Sequence, residues 1–385
     1  MSVSVIRDNI FEGSNCFRIR IMLSILSGQP IMIEKIRSRE EEPGLKDFEV
    51  SFLKLIVKLT NGSTFLIDET GTKLTFKPGL LFGGPVEHDC GLGRSITYYL
   101  QPLITLAPFC KQPIECTLNG ITNDQLDVSV DALRQSTIPL VSKLINVWEK
   151  SDIELTVVSR GMPPNGGGQI KFKCPIRNTI KPINLLKPGK IKRIRGIALA
   201  TRVSPNIANR IIDKSKGLLL KFIPDVYIHS DHLKGKNSGA SPGFGLCLVA
   251  ETTEGITYTG EAYSNPSGSS KGPSMPEDVA QEAVYCLFEE IYRGGCVSSI
   301  NQSLVCLYMA LGQPDISKVE FGPLSPFTVQ LLKHMKQILQ ITFKLEVNRK
   351  EDEEDDRDAA LKKGSEKIKA TCLGIGFSNL SKTII

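Results

Sequence analysis

The segment IFEGSNCFRIRIMLSILSGQPIMIEKIR, residues 10–37, contains a polar turn, an apolar helix and a strand in succession. The turn is Gly13-Ser14-Asn15, and the apolar residues after it have helical spacing. The helix is predicted to end at the sequence SGQP, because Gly and Pro terminate helices. The β-branched and apolar residues that follow Pro30 predict a strand. This order of elements is the first part of a larger pattern.

The larger pattern occurs three times along the chain. After the first strand, the sequence predicts a helix over about 44–60 and two short strands, so the order is helix–strand–helix–strand–strand. Three segments with this order predict an α/β fold in which repeated α-β-α-β-β units form a pseudo-threefold core. A Gln-Pro pair follows each opening helix, and the prolines are Pro30, Pro113 and Pro314.

The unequal spacing of these prolines predicts an inserted α/β domain. The first interval is 83 residues and the second is 201, an excess of 118. An amphipathic helix predicted over 277–291 is suited to be the last element of the insert. We therefore expect residues 1–179 and 296–385 to form the core and residues 180–295 to form the insert. The acidic stretch 349–366 predicts a disordered loop between two strands of the third unit.

Charge is distributed unevenly along the chain. The net charge is +6, yet residues 351–358 contribute −6, so the remainder carries +12. Between Glu154 and Asp213 there are twelve Lys or Arg residues and no acid. Such a segment is typical of contact with RNA or with an acidic protein, and its shortage of aromatic residues favours contact with the RNA backbone over base stacking. The predicted surface comprises Lys187, Lys190, Lys192, Arg193 and Arg195.

Other residue patterns argue against several classes of protein. No run of eighteen apolar residues exists, so no membrane-spanning helix and no membrane partner are expected. The absence of a secretory pattern predicts an intracellular protein. The sequence GASPG resembles a serine-nucleophile motif, but Pro242 lacks the N–H that an oxyanion hole needs. His229 and His232 are too few to bind a metal by themselves. We expect neither a metal nor a cofactor.

The start of the first helix is a candidate anion site. Backbone N–H groups and the helix dipole favour an anion at a helix N-terminus. The other two opening helices are predicted to begin near Gly91 and Gly295, and a pseudo-threefold core would bring such helix ends toward one face. We hypothesise a shared phosphate-binding pocket formed by Ser14, Asn15, Arg18, Arg37 and Arg39.

Many segments together resemble the RNA 3′-terminal phosphate cyclase family. SGQP, IRSREEEPGL, FKPGLLFGG, NGITNDQ and RGMPPNGGG resemble the family as a whole. GPVEHDCG, PGKIKRIRG, SPGFGLCLVAETT, EEIYRGGCV and IGFSNLSK are similar to its eukaryotic cyclase-like branch. The resemblance covers nearly the whole chain except the acidic stretch. It implies three repeated α/β units and one inserted domain.

The resemblance also shows where this sequence departs from the family's enzymes. Those enzymes transfer AMP from ATP to a histidine and then to an RNA 3′-phosphate, which closes to a 2′,3′-cyclic phosphate. By register, that histidine falls on Phe327, and His334 lies two helical turns beyond it. The enzymes' glutamate falls on Phe11, although a one-residue gap would bring the next residue there, and an Asp-Gln pair falls on Ser303-Leu304. The departures imply a retained scaffold without adenylyl transfer.

The cyclase-like branch implies a role in small ribosomal subunit biogenesis in the nucleus and nucleolus. Its members act with a large nucleolar GTPase and the U3-containing pre-ribosomal particle in early pre-rRNA cleavages toward 18S rRNA. Our leading interpretation is a non-catalytic scaffold that binds this GTPase and RNA. The alternative is an active pre-rRNA endonuclease or a residual cyclase. The residues that either form an RNA or protein surface or support acid–base cleavage are Lys333, His334 and Lys336.

Overall fold

Mixed α/β structure makes up the residues that the computed structural model describes, which are 9–145, 153–177, 179–348 and 364–379. The helices are α1 (Phe17–Ser27), α2 (Asp47–Leu59), α3 (Ile96–Leu106), α4 (Val130–Ala132), α5 (Ile138–Leu144), α6 (Pro205–Leu219), α7 (Pro276–Arg293), α8 (Gln302–Leu311) and α9 (Pro326–Leu339). The strands are β1 (Ile10–Glu12), β2 (Ile31–Glu34), β3 (Thr60–Asn61), β4 (Thr64–Ile67), β5 (Leu74–Lys77), β6 (Leu80–Leu81), β7 (Gly83–Asp89), β8 (Gln112–Gly120), β9 (Glu154–Ser159), β10 (Gly168–Cys174), β11 (Asn184–Leu185), β12 (Ile191–Thr201), β13 (Val226–Leu233), β14 (Gly243–Thr252), β15 (Thr257–Tyr263), β16 (Ile316–Phe321), β17 (Lys344–Asn348) and β18 (Lys367–Leu373).

Three four-stranded sheets in the described part of the chain share one strand order. The first sheet has the order β1-β2-β5-β4, the second β7-β8-β10-β9 and the third β11-β16-β18-β17. In each sheet the first two strands are parallel and the other pairs are antiparallel. Each sheet therefore contains one strand ahead of its opening helix that sequence patterning did not indicate. The pseudo-threefold relation between the sheets stays a prediction.

The inserted segment interrupts the third sheet after its first strand. Asn184 pairs with Lys318, and Leu185 pairs with Val319, so β11 belongs with β16 although it falls within the range 180–295. The strands after it form a separate sheet with the order β13-β12-β14-β15, against which α6 and α7 pack. The predicted last helix of the insert, over 277–291, is confirmed as α7. The domain boundaries themselves stay a prediction.

The opening helices α1, α3 and α8 are buried on nearly all sides. Almost every residue of each is buried, as expected for helices that are apolar around their whole circumference. The Tyr308 hydroxyl of α8 donates hydrogen bonds to the Ile104 and Thr105 carbonyls of α3, at 3.2 and 3.3 Å. Helices α3 and α8 begin later than Gly91 and Gly295, the starts that the sequence suggested.

The helical pattern of the second unit predicts a helix over about 127–147, and the structure divides it. A π-helical turn, Leu133–Thr137, separates α4 from α5. Pro139 lies at the start of α5 and has no N–H to donate to the preceding turn, so the regular hydrogen-bond ladder is broken there. The end of the predicted range lies outside the described residues. Across those described, no helix has the length and apolar character to cross a membrane.

Candidate functional site

A cavity of about 390 Å³ lies among the three opening helices and the start of α9. Each opening helix contributes side chains to its wall, so the cavity is built where the three helices meet. The residues that line it are Arg18, Ile19, Met22, Arg94, Gln101, Pro102, Thr105, Leu126, Asp127, Val128, Leu133, Thr137, Ser299, Ile300, Asn301, Ser303, Leu304, Leu307, Ser325, Phe327 and Leu331.

Arg18 is the cationic residue of α1 in this cavity. Its guanidinium donates to the Tyr98 carbonyl at 2.6 Å and to Gln101 Oε1 at 3.1 Å, and lies 4.2 Å from the centre of the Tyr98 ring. Burial lowers the pKa of Arg18 because a cation loses hydration there. Within the described ranges it forms no ion pair with a carboxylate. The Asp127 carboxylate in the same wall attracts Arg18 without an ion pair, so an anion in the cavity would supply a directly bonded counter-charge.

Arg94, the other arginine in the wall, is already neutralised. It forms a two-pronged ion pair with Asp127, in which its Nε donates to Oδ2 at 2.8 Å. This hydrogen bond raises the pKa of Arg94. The Arg94 guanidinium also lies 4.7 Å from the centre of the Tyr98 ring, so two cations stack on one aromatic residue. Arg18 is left as the better partner for a bound anion.

Phe327 lies in the first turn of α9, at the rim of the cavity. Ser325 caps this helix by accepting a hydrogen bond from the Thr328 N–H at 3.1 Å. Phe327 is 40% exposed and lines the cavity together with Ser303 and Leu304. The described lining residues include no histidine, lysine or cysteine. The cavity thus has a phenyl ring where the family resemblance places the AMP-accepting imidazole.

The turn before α1 is held by the protein itself. Arg20 donates to the Gly13 carbonyl at 2.6 Å and to the Glu12 carbonyl at 3.1 Å, while the Glu12 carboxylate pairs with Lys35 at 2.7 Å. Ser14 and Asn15 lie in this turn and do not line the cavity. These two residues of the predicted phosphate-binding set therefore lie at the start of α1 and outside the cavity, and their role stays a prediction.

Arg37 is committed to a buried ion pair. It binds both carboxylate oxygens of Glu49, at 2.7 and 2.8 Å, and donates to the Gly44 carbonyl at 3.0 Å. Arg39 is exposed and, like Arg37, does not line the cavity. The structure therefore brings only Arg18 of the five predicted residues into the cavity. Sequence could not show this, because Glu49 neutralises Arg37 only after α2 packs against it.

His334 is buried, whereas the lysines beside it on α9 are not. Its ring is 9% exposed and meets the Phe11 ring edge-on, with centroids 5.1 Å apart. Burial, with Arg20 and Lys333 nearby, lowers its pKa to about 4. Lys333 and Lys336 are exposed. The predicted RNA or partner surface therefore has two exposed lysines, and the histidine lies beneath it, because the helical period turns it toward the core.

Two arginines of the predicted basic surface form ion pairs within the insert. Arg193 pairs with Glu251 at 2.7 Å, and Arg195 pairs with Asp225 at 2.7 Å. Both acids come from other strands or loops of the insert. The residues of this surface that stay exposed without an ion pair in the described structure are Lys187, Lys190 and Lys192.

A buried polar network joins the second sheet to the insert. Arg160 is 2% exposed and pairs with Asp131 and, at 2.8 Å, with Asp231. Glu261 accepts hydrogen bonds from the Ser129 N–H at 3.0 Å and the Tyr263 hydroxyl at 3.2 Å; burial raises its pKa to about 6. Sequence reasoning missed this network, whose one signal was the RGMPPNGGG segment. In the described chain no group of three His, Cys, Asp or Glu residues is suited to hold a metal.

The profile of the RNA 3′-terminal phosphate cyclase family matches residues 9–345, and the chain belongs to this family. Full-length relatives are also similar. The chain is 53% identical over 374 residues to the human RNA 3′-terminal phosphate cyclase-like protein, covering 97% of both chains. It is 46% identical over 378 residues to a probable cyclase-like protein of Drosophila melanogaster, covering 98% of this chain and 97% of the relative. It is 39% identical over 375 residues to the rRNA processing protein rcl1 of Schizosaccharomyces pombe, covering 97% and 98%.

Proposed function

We propose that this protein is a non-catalytic, cyclase-like scaffold in small ribosomal subunit biogenesis. The observation that carries the proposal is Phe327, which lines the cavity where the family's enzymes would need a histidine. A phenyl ring has no nitrogen to accept AMP, and Phe11 stands where a carboxylate would be needed. His334 is no replacement, since it is buried against Phe11.

The role in rRNA processing is supported by the relatives. The similar protein of Schizosaccharomyces pombe is named for rRNA processing, and the human and Drosophila melanogaster relatives are named cyclase-like. We propose that this chain acts in the nucleolus, in early pre-rRNA cleavages toward 18S rRNA. Its proposed partners are a nucleolar GTPase and the U3-containing pre-ribosomal particle, with pre-rRNA as a further contact. Three repeated units and one insert would form the scaffold.

We propose that the cavity keeps the ability to hold a phosphate group. Arg18 carries a charge there without a carboxylate partner in the described structure, and its own hydrogen bonds to Tyr98 and Gln101 fix its position. Such a pre-positioned guanidinium suits a phosphate oxygen. The phosphate could belong to a nucleotide or to an RNA end.

The test of catalysis uses purified full-length protein. It is incubated with α-labelled ATP and a 3′-phosphorylated RNA, and separately with a precursor RNA that spans an 18S processing site. We expect no covalent adenylate, no cyclic end and no site-specific cleavage. Formation of an adenylate or a cyclic end would overturn the non-catalytic proposal, as would cleavage that is lost in Lys333→Ala/Lys336→Ala.

The test of the scaffold uses cells depleted of their own cyclase-like protein. Wild-type protein and Phe327→Ala should restore 18S rRNA to the same level, because no chemistry is assigned to this ring. Failure of the wild-type chain to restore 18S rRNA or to co-purify with U3-containing particles would overturn the assignment to ribosome biogenesis.

A further inference from the structure

A second cleft lies between the helices of the insert and the third sheet. Its volume is about 710 Å³, and it shares no lining residue with the cavity described above. The family resemblance assigned no chemistry to it. The residues that line it are Pro188, Gly189, Ile191, Leu218, Lys221, Phe222, Tyr258, Phe288, Ile291, Tyr292, Gly294, Gly295, Gly364 and Lys367.

The cleft has an apolar floor and an aromatic rim. Leu218, Phe288 and Ile291 are half-buried in it. Phe222 is 49% exposed and Tyr292 is 60% exposed, although both are large aromatic side chains. The Phe222 and Phe288 rings meet edge-on at 5.5 Å, so the exposed ring is held in place. A pre-positioned aromatic beside an apolar depression is typical of the anchor points of protein–protein interfaces.

The charged side chains that line this cleft have one sign. In the described chain its lining residues include two lysines and no acid. Lys187 and Lys190 are exposed and flank the lining pair Pro188-Gly189, and Lys221 is exposed at the end of α6. None of these three forms an ion pair in the described structure, unlike Arg193 and Arg195 in the same basic segment. Three exposed lysines without an ion pair in the described structure are therefore available at or beside the rim of an apolar cleft.

We propose that this cleft docks an acidic peptide segment of a partner protein, with an aliphatic or aromatic side chain of the peptide in the cleft and flanking carboxylates on the lysines. The pairing of an aliphatic floor with a cationic rim favours a peptide over RNA, since a base would need an open, flat stacking face and a phosphate would gain nothing from Leu218 or Ile291. The inference deepens the scaffold function and depends on it only for the identity of the assembly.

The first experiment selects ligands without assuming a sequence. A displayed library of random 16-residue peptides is selected on the purified full chain and counter-selected on the Phe222→Ser/Tyr292→Ser variant. We expect enriched peptides with one or two apolar anchors flanked by Asp or Glu. Enrichment of peptides without acids would overturn the proposal, as would peptides that bind both proteins equally.

The second experiment measures the affinity of a selected, fluorescently labelled peptide by anisotropy. Phe222→Ala should weaken binding by about tenfold, and Lys190→Glu/Lys221→Glu by at least as much, because an anchor and a complementary charge are lost. The matched controls are Leu66→Ala and Lys54→Glu, also at exposed positions but away from the cleft lining. Equal losses in the control variants would contradict docking in this cleft.

Two further arms separate the peptide from other occupants. An unlabelled single-stranded RNA that displaces the peptide at lower concentration than unlabelled peptide would identify the cleft as an RNA site and overturn the proposal. In a further variant, the chain's own acids at 351–356 are replaced by Ser. If this variant bound the peptide tenfold more tightly than wild type, the chain's own acidic segment would be the occupant of the cleft, which would overturn the proposal. These readouts are independent of the ATP and 18S rRNA tests, so the two proposals can fail separately.

Discussion

The Phe11 ring meets the His334 imidazole edge-on, at a centroid distance of 5.1 Å, and thereby joins β1 to α9. The Arg20 guanidinium also lies 5.0 Å from the centre of the Phe11 ring. By the register of the family resemblance, Phe11 falls where the enzymes have a carboxylate, and His334 is the histidine nearest to Phe327 in sequence. Both side chains serve packing, so the position of Phe11, which the family resemblance links to chemistry, contributes here to the stability of the core.

Phe11→Ala should destabilise the fold by about 3–5 kcal/mol, because Phe11 is 4% exposed and its removal leaves a cavity between β1 and α9. Urea unfolding measures the free energy. Leu66→Ala, at a side chain that is 73% exposed, should cost less than about 1 kcal/mol. Equal costs for the two variants would show that the Phe11–His334 contact carries no particular weight.

The stability of the protein should fall in acid partly through His334. Its folded pKa of about 4 lies below the ordinary value of 6.5, so between these pH values the unfolded chain binds a proton that the folded chain does not. The unfolding free energy therefore rises with pH across this window. The stabilisation that His334 contributes is fully present above about pH 6.5. On going from pH 7 to pH 5, wild type should lose about 2 kcal/mol more than His334→Leu.

A matched variant, His229→Leu, at an exposed histidine, should keep the wild-type pH dependence. His88 shares the depressed pKa of about 4 and the same sign, so His334→Leu should remove only part of the acid sensitivity. Identical pH profiles for wild type and His334→Leu would contradict burial of the neutral imidazole.

Arg37→Ala should cost about 3–5 kcal/mol of unfolding free energy, because it leaves the Glu49 carboxylate buried without its cation. Arg39→Ala should change the stability by less than about 0.5 kcal/mol, since Arg39 is exposed. Chemical denaturation of the two variants checks this difference. A neutral effect of Arg37→Ala would return this residue to the list of free anion ligands.

Glu261 should oppose folding at neutral pH. Its folded pKa of about 6 lies above the ordinary 4.5, so the folded chain holds a proton that the unfolded chain releases between these values. Unfolding free energy therefore falls as pH rises through this window. The unfolding free energy of Glu261→Gln, measured relative to that of wild type, should rise by about 2 kcal/mol between pH 4.5 and pH 7. Thermal or urea unfolding of both proteins at the two pH values tests this prediction. If the stability difference between variant and wild type were the same at both pH values, the raised pKa of Glu261 would be refuted.

Inorganic phosphate should stabilise the protein through Arg18. A ligand that binds only the folded state raises Tm, so the Tm of wild type should be higher in phosphate than in chloride at equal ionic strength. Arg18→Met should lose this increase, and Arg39→Met should keep it. The same increase in Arg18→Met would mean that phosphate binds elsewhere.

Much of the architecture could be predicted from sequence because long periodic elements dominate it. The helices α2 and α7 lie close to their predicted ranges of about 44–60 and 277–291. Two of the missed strands, β1 and β11, have only two or three residues and give no alternation to detect. A third, β7, has seven residues but begins with Gly-Gly-Pro, a sequence typical of a turn.

The candidate site was less accessible to sequence than the fold. Phe327 and Leu304 were placed by register, and the structure puts both in the cavity wall with Arg18. Whether Arg37, Arg193 and Arg195 are neutralised depends on carboxylates that the fold brings to them from other elements. The burial of His334 depends on which face of α9 meets β1. These are tertiary facts, and local patterns carry little information on them.

The two-residue strand β11 also sets an order of assembly. Its register joins Asn184 to Lys318, so the strand and its partner are 134 positions apart in the sequence. At roughly 5–20 residues per second of synthesis, β11 waits roughly 7–27 s before β16 emerges. The first and second sheets have no such delay, because in each of them a single helix separates the two parallel strands in sequence. The third sheet is therefore the last of the three to close, and only then is the wall that contains Phe327 complete.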